Sequence, residues 1–197
     1  MTTIIGIKHE NRLTIAADRG VKLPKRTVGH HLTTKLKKLD DNQGNATVIG
    51  FSGVMAAMQV VSHILDEFDY SFSTTADLLE TVLAIRGTLA DEYHFNMVTD
   101  DGILTMPVTM LIANAKSGLH VVYNGGEVIE VTEPYAAIGS GAEYALGSLH
   151  TMCAFPSTFR RHDDNVKFAM RAAALDPDTH TACESVTIEC HVVDQPT

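Results

Sequence analysis

The second residue of the chain, Thr2, could act as a nucleophile whose general base belongs to the same residue. Removal of Met1 would leave Thr2 with a free α-amine at the start of the chain. In this arrangement the hydroxyl attacks, and the amine, with an ordinary pKa of roughly 7.7–8, takes its proton directly or through a water molecule. Met-Thr-Thr is also a common opening of proteins, so Thr2 alone does not establish this chemistry.

Other residue patterns typical of catalytic or binding sites are absent or incomplete. The sequence has no G-x-x-x-x-G-K-[ST] loop, and residues 50–53 (GFSG) lack the G-x-S-x-G spacing of a nucleophile elbow. His180, Cys183, Cys190 and His191 could be drawn as a zinc site, but the last two would point to opposite faces of one strand. We therefore expect neither a metal nor an organic cofactor.

The elements that would position Thr2 follow from the hydrophobic pattern. Alternating apolar residues predict strands over 3–7 and 13–17, so the chain begins inside a sheet, and the polar stretch 19–34 is predicted to be a loop. Periodicity then predicts strands over 35–39 and 46–51, helices over 54–68 and 75–95, strands over 108–113, 119–123, 127–131 and 135–138, helices ending near 152 and covering 164–175, and a last strand over 185–193.

The order of these elements favours an α+β fold. Runs of strands followed by pairs of helices are not the alternating units of a doubly wound parallel sheet. Two antiparallel sheets stacked face to face, with helix pairs outside, would bury both apolar faces of each sheet. The sequence therefore predicts a four-layer αββα sandwich.

Length, composition and charge restrict the class of protein. The chain has 197 residues, which fits a single domain over 1–197, and its 15 Lys and Arg against 24 Asp and Glu give a net charge of -9. An acidic surface disfavours nucleic-acid phosphates and anionic membranes as partners. An odd number of cysteines, three, and the lack of a basic stretch followed by an apolar one at the start predict a cytoplasmic protein. The sequence also has no apolar run of ~18 residues, so it predicts no membrane span.

Five segments, in chain order, resemble the catalytic β-subunits of the proteasome and the bacterial HslV peptidase, which are N-terminal-nucleophile hydrolases. They are 2–7 (TTIIGI), 15–18 (IAAD), 34–39 (TKLKKL), 50–53 (GFSG) and 137–145 (AIGSGAEYA), the last being close to the G-S-G-x-x-Y-A signature of that family. The resemblance extends from Thr2 to about Val193 and includes the predicted order of strands and helices.

The resemblance implies a catalytic role for each of five residues. Thr2 would be the nucleophile, Lys35 would place positive charge beside its hydroxyl, and Asp18 would pair with Lys35 and orient it. The backbone N–H of Gly53, at the head of the first helix, would donate to the oxyanion, where the helix dipole favours negative charge. Ser140 would lie near the α-amine and hold it in place.

The segment 176–184 departs from the polar turn that the family often has before its last strand. Asp178 and Thr181 match the spacing of the Asp and Ser of that turn, whereas Ala182 and Cys183 stand where glycines are usual. The resemblance therefore implies Asp178 and Thr181 as further site residues in a loop of altered composition.

By resemblance, the chain is expected to be a threonine-type endopeptidase subunit of a self-compartmentalising homo-oligomer. Two stacked rings would enclose the active sites, and an ATP-driven unfoldase would feed unfolded polypeptide into the chamber. Two alternatives stay open. One is a catalytically inactive ring or scaffold subunit of the same fold, which a retained Met1 would favour. The other is an N-terminal-nucleophile amidase acting on small amides, which a small native assembly would favour.

Overall fold

Four helices form the outer layers of the part of the protein that the structure describes. The computed structural model describes residues 2–23, 26–28, 34–95, 97–98, 101–102, 104–154, 162–176, 179–180 and 182–190. Within these residues, no helix has both the length and the apolar character needed to cross a membrane. The helices are α1 (Met55–Glu67), α2 (Thr75–Asp91), α3 (Ala142–Ala154) and α4 (His162–Ala173).

Two antiparallel sheets form the inner layers. The four-stranded sheet contains, in spatial order, β12 (Tyr135–Gly139), β1 (Thr3–His9), β2 (Arg12–Asp18) and β13 (Cys183–Glu189). The five-stranded sheet contains β11 (Val128–Glu130), β10 (Gly118–Val122), β9 (Val108–Asn114), β6 (Ala46–Gly53) and β5 (Leu36–Asp40). Two short hairpins pair β3 (Val21–Leu23) with β4 (Arg26–Val28) and β7 (Met97–Val98) with β8 (Leu104–Thr105).

Three apolar cores separate the four layers. Alternate residues of each strand point to opposite faces, so β1 directs Ile4 into the core between the sheets and Ile5 into the core beneath α3 and α4. In the same way, β6 directs Val48 between the sheets and Ile49 towards α1 and α2. This arrangement confirms the predicted four-layer αββα sandwich.

Glycine allows the two sheets to approach each other closely. A Cβ on Gly50 would overlap the Ile4 side chain, and a Cβ on Gly6 would press against the methyl groups of Leu119. Both glycines are therefore part of the packing between the two sheets, because a larger side chain at either position would force the sheets apart.

The structure corrects some of the predicted boundaries. The stretch 19–34 is not only a loop, since it contains the β3–β4 hairpin. Helix α2 ends at Asp91 because His94 adopts a left-handed backbone with φ +56°, although Tyr93 and Phe95 still pack on the core and so extend the apolar pattern. The last strand begins earlier than predicted, at Cys183, and its described part ends at Glu189.

Candidate active site

Thr2 lies immediately before β1 and is only 4% exposed. It is two residues from Ile4, so the two side chains project from the same face of the sheet, towards the other sheet. The Thr2 carbonyl accepts a hydrogen bond of 2.9 Å from the Ser140 N–H, which makes Ser140 its neighbour. Gly139 has φ +93°, and a Cβ there would overlap the Thr2 carbonyl oxygen. Only glycine therefore lets the end of β12 approach Thr2 this closely.

The carboxylate of Asp18, at the end of β2, is fully buried and accepts four hydrogen bonds. Its Oδ1 accepts from the Thr3 N–H at 2.7 Å and from Lys35 Nζ at 2.9 Å, and its Oδ2 accepts from the Gly20 N–H at 2.9 Å. A buried charge is costly unless it is paired and hydrogen-bonded in this way. Because the Thr3 N–H belongs to the peptide group that follows Thr2, Asp18 connects that peptide group to Lys35.

Lys35, just before β5, is as fully buried as Asp18. Burial lowers the pKa of its ammonium group from the ordinary value of 10.5, and the negative charges of Asp18 and then Glu184 oppose this shift in part. Lys35 therefore gives up its proton more readily than a lysine on the surface, while Asp18 fixes the direction of its Nζ–H groups.

Gly53 ends β6 and directs its backbone N–H away from β9. Val54 N–H donates to the Pro107 carbonyl and Phe51 N–H donates to the Lys35 carbonyl, on the opposite edge of the strand. Alternate residues of a strand direct their amides to opposite edges, so the Gly53 N–H shares the edge of Phe51, on the Lys35 side. Gly53 has φ +139°, and a Cβ there would overlap the Pro107 carbonyl oxygen. This N–H also lies at the start of α1, where the helix dipole favours an anion.

Two cavities adjoin these residues. The first, of about 260 Å³, lies beside Lys35 and is mostly apolar, with Thr34, Leu36, Phe51, Met55, Met58, Gln59 and Ser62 as its lining. The second, of about 320 Å³, contains Ser52, Gly53 and Gly139 in its wall. Gly53 thus lines the second cavity, whereas Phe51, two residues earlier on the same strand, lines the first.

The loop before β13 reaches the site through two residues to which the sequence assigned no role in catalysis. Asp178 and Thr181, the predicted members, lie outside the described residues. Between them, the His180 N–H donates to Asp18 Oδ2 at 3.3 Å, and the Thr179 hydroxyl lies 2.7 Å from the Thr3 hydroxyl. The loop thus contacts both Asp18 and the residue that follows Thr2.

Glu184 is a further residue of the site to which the sequence assigned no role. Its carboxylate accepts hydrogen bonds from the Lys35 backbone and the Thr34 side chain. No spacing rule could have found this contact, because its partners are about 150 residues apart in the chain. Its only sequence signal was its place in the departing segment 176–184.

The part of the chain described by the structure contains no group of three or more His, Cys, Asp or Glu side chains arranged to hold a metal ion. Cys183 and Cys190, two members of the zinc site considered above, are free thiols, and partial burial raises the pKa of Cys190.

The sequence and the structure are both similar to known proteins. The HslV subunit of an ATP-dependent protease of Macrococcus caseolyticus is 27% identical over 164 residues, covering 82% of each chain. The HslV subunit of Listeria innocua is 29% identical over 147 residues, covering 75% of this chain and 74% of its own.

The solved structures extend this similarity to almost the whole chain. BPH from Thiobacillus denitrificans, solved in complex with epoxomicin, superposes with a TM-score of 0.80 at 20% identity, covering 96% of this chain and 99% of its own. HslV from Trypanosoma brucei superposes with a TM-score of 0.65 at 20% identity, covering 95% of this chain and 99% of its own. Anbu from Yersinia bercovieri superposes with a TM-score of 0.68 at 15% identity, covering 95% of this chain and 81% of its own. At these identities the likeness establishes the fold.

A family model described as "Proteasome subunit" matches residues 1–188. This match and the HslV relatives confirm the resemblance that the sequence motifs predicted. The chain therefore belongs to the proteasome subunit family and is similar within it to the HslV protease subunits.

Proposed function

We propose that this chain is a threonine-type endopeptidase subunit and that Thr2 becomes its nucleophile once Met1 has been removed. The observation that carries the proposal is the buried Asp18–Lys35 ion pair, which contacts the peptide group directly after Thr2. A buried lysine held by a carboxylate beside a threonine hydroxyl is suited to stabilise the alkoxide that forms during attack.

In the first half of the reaction, Thr2 Oγ1 attacks the carbonyl carbon of the substrate peptide bond. The hydroxyl proton passes to the α-amine of Thr2, directly or through a water molecule, while Lys35 stabilises the developing negative charge on oxygen. The carbonyl oxygen becomes an oxyanion that accepts from the Gly53 N–H. Ser140, at the N-terminus of α3, holds the backbone of Thr2 so that the amine stays beside the hydroxyl.

In the second half, the tetrahedral intermediate collapses and the C–N bond breaks. The α-ammonium gives its proton to the departing amine, and the acyl group remains on Thr2 as an ester. Water then attacks the ester, the α-amine accepts a proton from that water, and a second collapse returns the proton to Thr2 Oγ1. The products are a carboxylic acid and an amine, and the enzyme is unchanged.

The mostly apolar cavity beside Lys35 suggests which substrates are preferred. It has room for one large side chain, and Leu36, Phe51, Met55 and Met58 offer it apolar surface. Methionine adapts its shape to different ligands, which favours a range of apolar side chains over one. We expect cleavage after leucine-like or aromatic residues in preference to acidic ones.

The assembly and partners are also part of the proposal. Because the HslV relatives are subunits of ATP-dependent proteases, we propose a cytoplasmic homo-oligomeric ring, stacked in pairs, that receives unfolded polypeptide from an ATP-driven unfoldase. Enclosure of the sites would restrict cleavage to chains that have been threaded into the chamber. Nucleic acids and membranes are not expected as partners.

Thr2→Ala and Thr2→Ser test the nucleophile. We expect the parent to lack Met1 by intact mass and to cleave a fluorogenic peptide with Leu before the scissile bond. Thr2→Ala should lower kcat by at least about 10³-fold, because it removes only the attacking hydroxyl, whereas Thr2→Ser should keep part of the activity. Epoxomicin, the ligand in the T. denitrificans BPH structure, should inhibit the parent.

Three outcomes would contradict the proposal. Equal turnover by Thr2→Ala and the parent would refute the nucleophile. A retained Met1 in an inactive assembly would indicate the scaffold subunit, and a monomer that cleaves only small amides would indicate the amidase.

A further inference from the structure

Glu184 lies on β13 and its side chain crosses the space between the two sheets. In the register of the four-stranded sheet Glu184 is opposite Ala17 on β2, and Ala17 packs in the core between the sheets. Directly paired residues of antiparallel strands share a face, so the Glu184 carboxylate points towards the five-stranded sheet. There it meets the residues that begin β5.

A single carboxylate oxygen of Glu184 makes both contacts. Oε1 accepts from the Lys35 backbone N–H at 2.8 Å and lies 2.8 Å from the Thr34 hydroxyl. The Thr34 hydroxyl is also 3.0 Å from the Leu36 carbonyl, but it has one proton to give, and an ionised carboxylate is the stronger acceptor. Glu184 thus holds the backbone just before β5.

Lys35 is consequently fixed at both ends by the four-stranded sheet. Its Nζ reaches across to Asp18 on β2, and its backbone N–H is held by Glu184 on β13. The Lys35 carbonyl accepts from the Phe51 N–H, which ties the lysine backbone to β6 in the five-stranded sheet but not to the sheet that carries Asp18. The Glu184 contact adds a tie to the four-stranded sheet at the backbone from which the flexible stem of Lys35 starts.

We propose that Glu184 is a positioning residue for Lys35: its carboxylate sets where the lysine backbone lies and thereby where the ammonium meets Thr2. This inference rests on the proposed function of Thr2 and Lys35. In such a site, a displacement of about 1 Å costs about 10²-fold in rate, and Glu184 prevents a displacement of this kind.

The charge of Glu184 adds a second effect on the same lysine. Glu184 raises the pKa of Lys35, in opposition to the larger lowering by burial. Loss of this charge should therefore lower the pKa of Lys35 further. Activity that needs a protonated Lys35 would then decline at a lower pH than in the parent.

Two variants separate position from charge. Glu184→Gln keeps an oxygen that can accept from the Lys35 N–H but removes the charge, whereas Glu184→Ala removes both. Glu189→Gln, an exposed residue of the same strand, is the matched control. We expect Glu184→Ala to lower kcat for peptide hydrolysis by about 10–100-fold with KM within threefold. Glu184→Gln should restore most of kcat, and in both variants the alkaline decline of activity should move to lower pH.

Hydrogen–deuterium exchange of the Lys35 amide measures whether Glu184 holds the Lys35 N–H, without an activity assay. Exchange should be at least tenfold faster in Glu184→Ala and within threefold of the parent in Glu184→Gln and Glu189→Gln. Faster exchange without a change in kcat would overturn the inference, as would a Glu184→Gln that is as inactive as Glu184→Ala or an unshifted pH profile. A parent that cleaves no peptide would refute the proposed function, and amide exchange would still decide whether Glu184 positions Lys35.

Discussion

At the scale of the residue, the burial of Lys35 determines the pH at which its positive charge is lost. Its ammonium is fully buried and pairs with an equally buried Asp18, which is stabilised by three backbone N–H groups in addition to Lys35. Desolvation still lowers the pKa of Lys35. The proposed site therefore holds a positive charge that is lost at a lower pH than in a free lysine.

We predict a bell-shaped pH dependence of kcat/KM for peptide cleavage. Activity should rise as the Thr2 α-amine loses its proton, and fall as Lys35 loses its proton at a pH below its ordinary value of 10.5. The contribution of Lys35 to the stability of the fold changes with pH in the opposite direction to its contribution to activity. Between its folded pKa and 10.5 the unfolded chain binds more protons, so the free energy of unfolding should rise with pH.

Lys35→Met should lower kcat by about 10²–10³-fold and remove the alkaline decline of any residual activity. Lys37→Met is the matched control, because Lys37 lies only two residues further along the chain, in β5, but pairs with the largely exposed Asp66 and should contribute little. Fluorogenic peptide assays from about pH 5 to about pH 11 provide the measurement. A parent whose activity shows no alkaline decline below 10.5 would exclude the assigned role of Lys35.

At the scale of the element, the junction of β6 and α1 determines where the oxyanion would be bound. The strand ends in Gly53, whose φ of +139° and contact with the Pro107 carbonyl leave no room for a side chain. Helix α1 starts two residues later, at Met55, and its N-cap residue makes no side-chain capping bond. The backbone N–H groups of this end are therefore not covered by a capping side chain.

We predict that Gly53→Ala both destabilises the protein and reduces activity. Both Gly53 and Gly44 have positive φ, so alanine at either position costs about 1 kcal/mol or more in backbone strain. A Cβ on Gly44, in the β5–β6 turn, would meet no other group within 4 Å, whereas a Cβ on Gly53 would also meet backbone atoms of Pro107 and Val108. Urea denaturation should show that Gly53→Ala loses at least about 1 kcal/mol more than Gly44→Ala. Equal losses would show that the contact with Pro107 relaxes without cost.

At the scale of the whole molecule, the structure decides which apolar helix residues are available for contacts between subunits. Met58, Val61 and Leu149 lie on apolar helix faces, and periodicity alone does not separate core residues from interface residues on such faces. All three are buried against the sheets. The large apolar side chains that remain exposed on the helices include Leu79, Leu83, Tyr144 and Phe168. The last two border a groove of about 640 Å³ between α3 and α4.

We predict that the native mass of the purified protein equals many copies of the chain and that peptidase activity co-elutes with this assembly. Thr2→Ala should have the same native mass, because residue 2 is buried inside the subunit and does not belong to these exposed helix surfaces. Light scattering coupled to size exclusion gives both results. Peptide cleavage by a monomer would contradict the ring.

The sequence by itself determined the layer order and the family, and it predicted most of the residues assigned to the candidate site. Strand and helix periodicities are local, so they can be read without knowing what packs against them. The segments around Thr2, Asp18, Lys35, Gly53 and Ser140 could be recognised for the same reason, since each motif is a short continuous run.

The tertiary structure decided how these segments meet. It shows that the Asp18–Lys35 pair is fully buried and that Thr179 reaches Thr3 across 176 positions of the chain. It also shows that Glu184 holds the Lys35 backbone. Such contacts arise from the stacking of two sheets whose strands are distant in sequence. No local pattern encodes them, because the same residues in another register would face different partners.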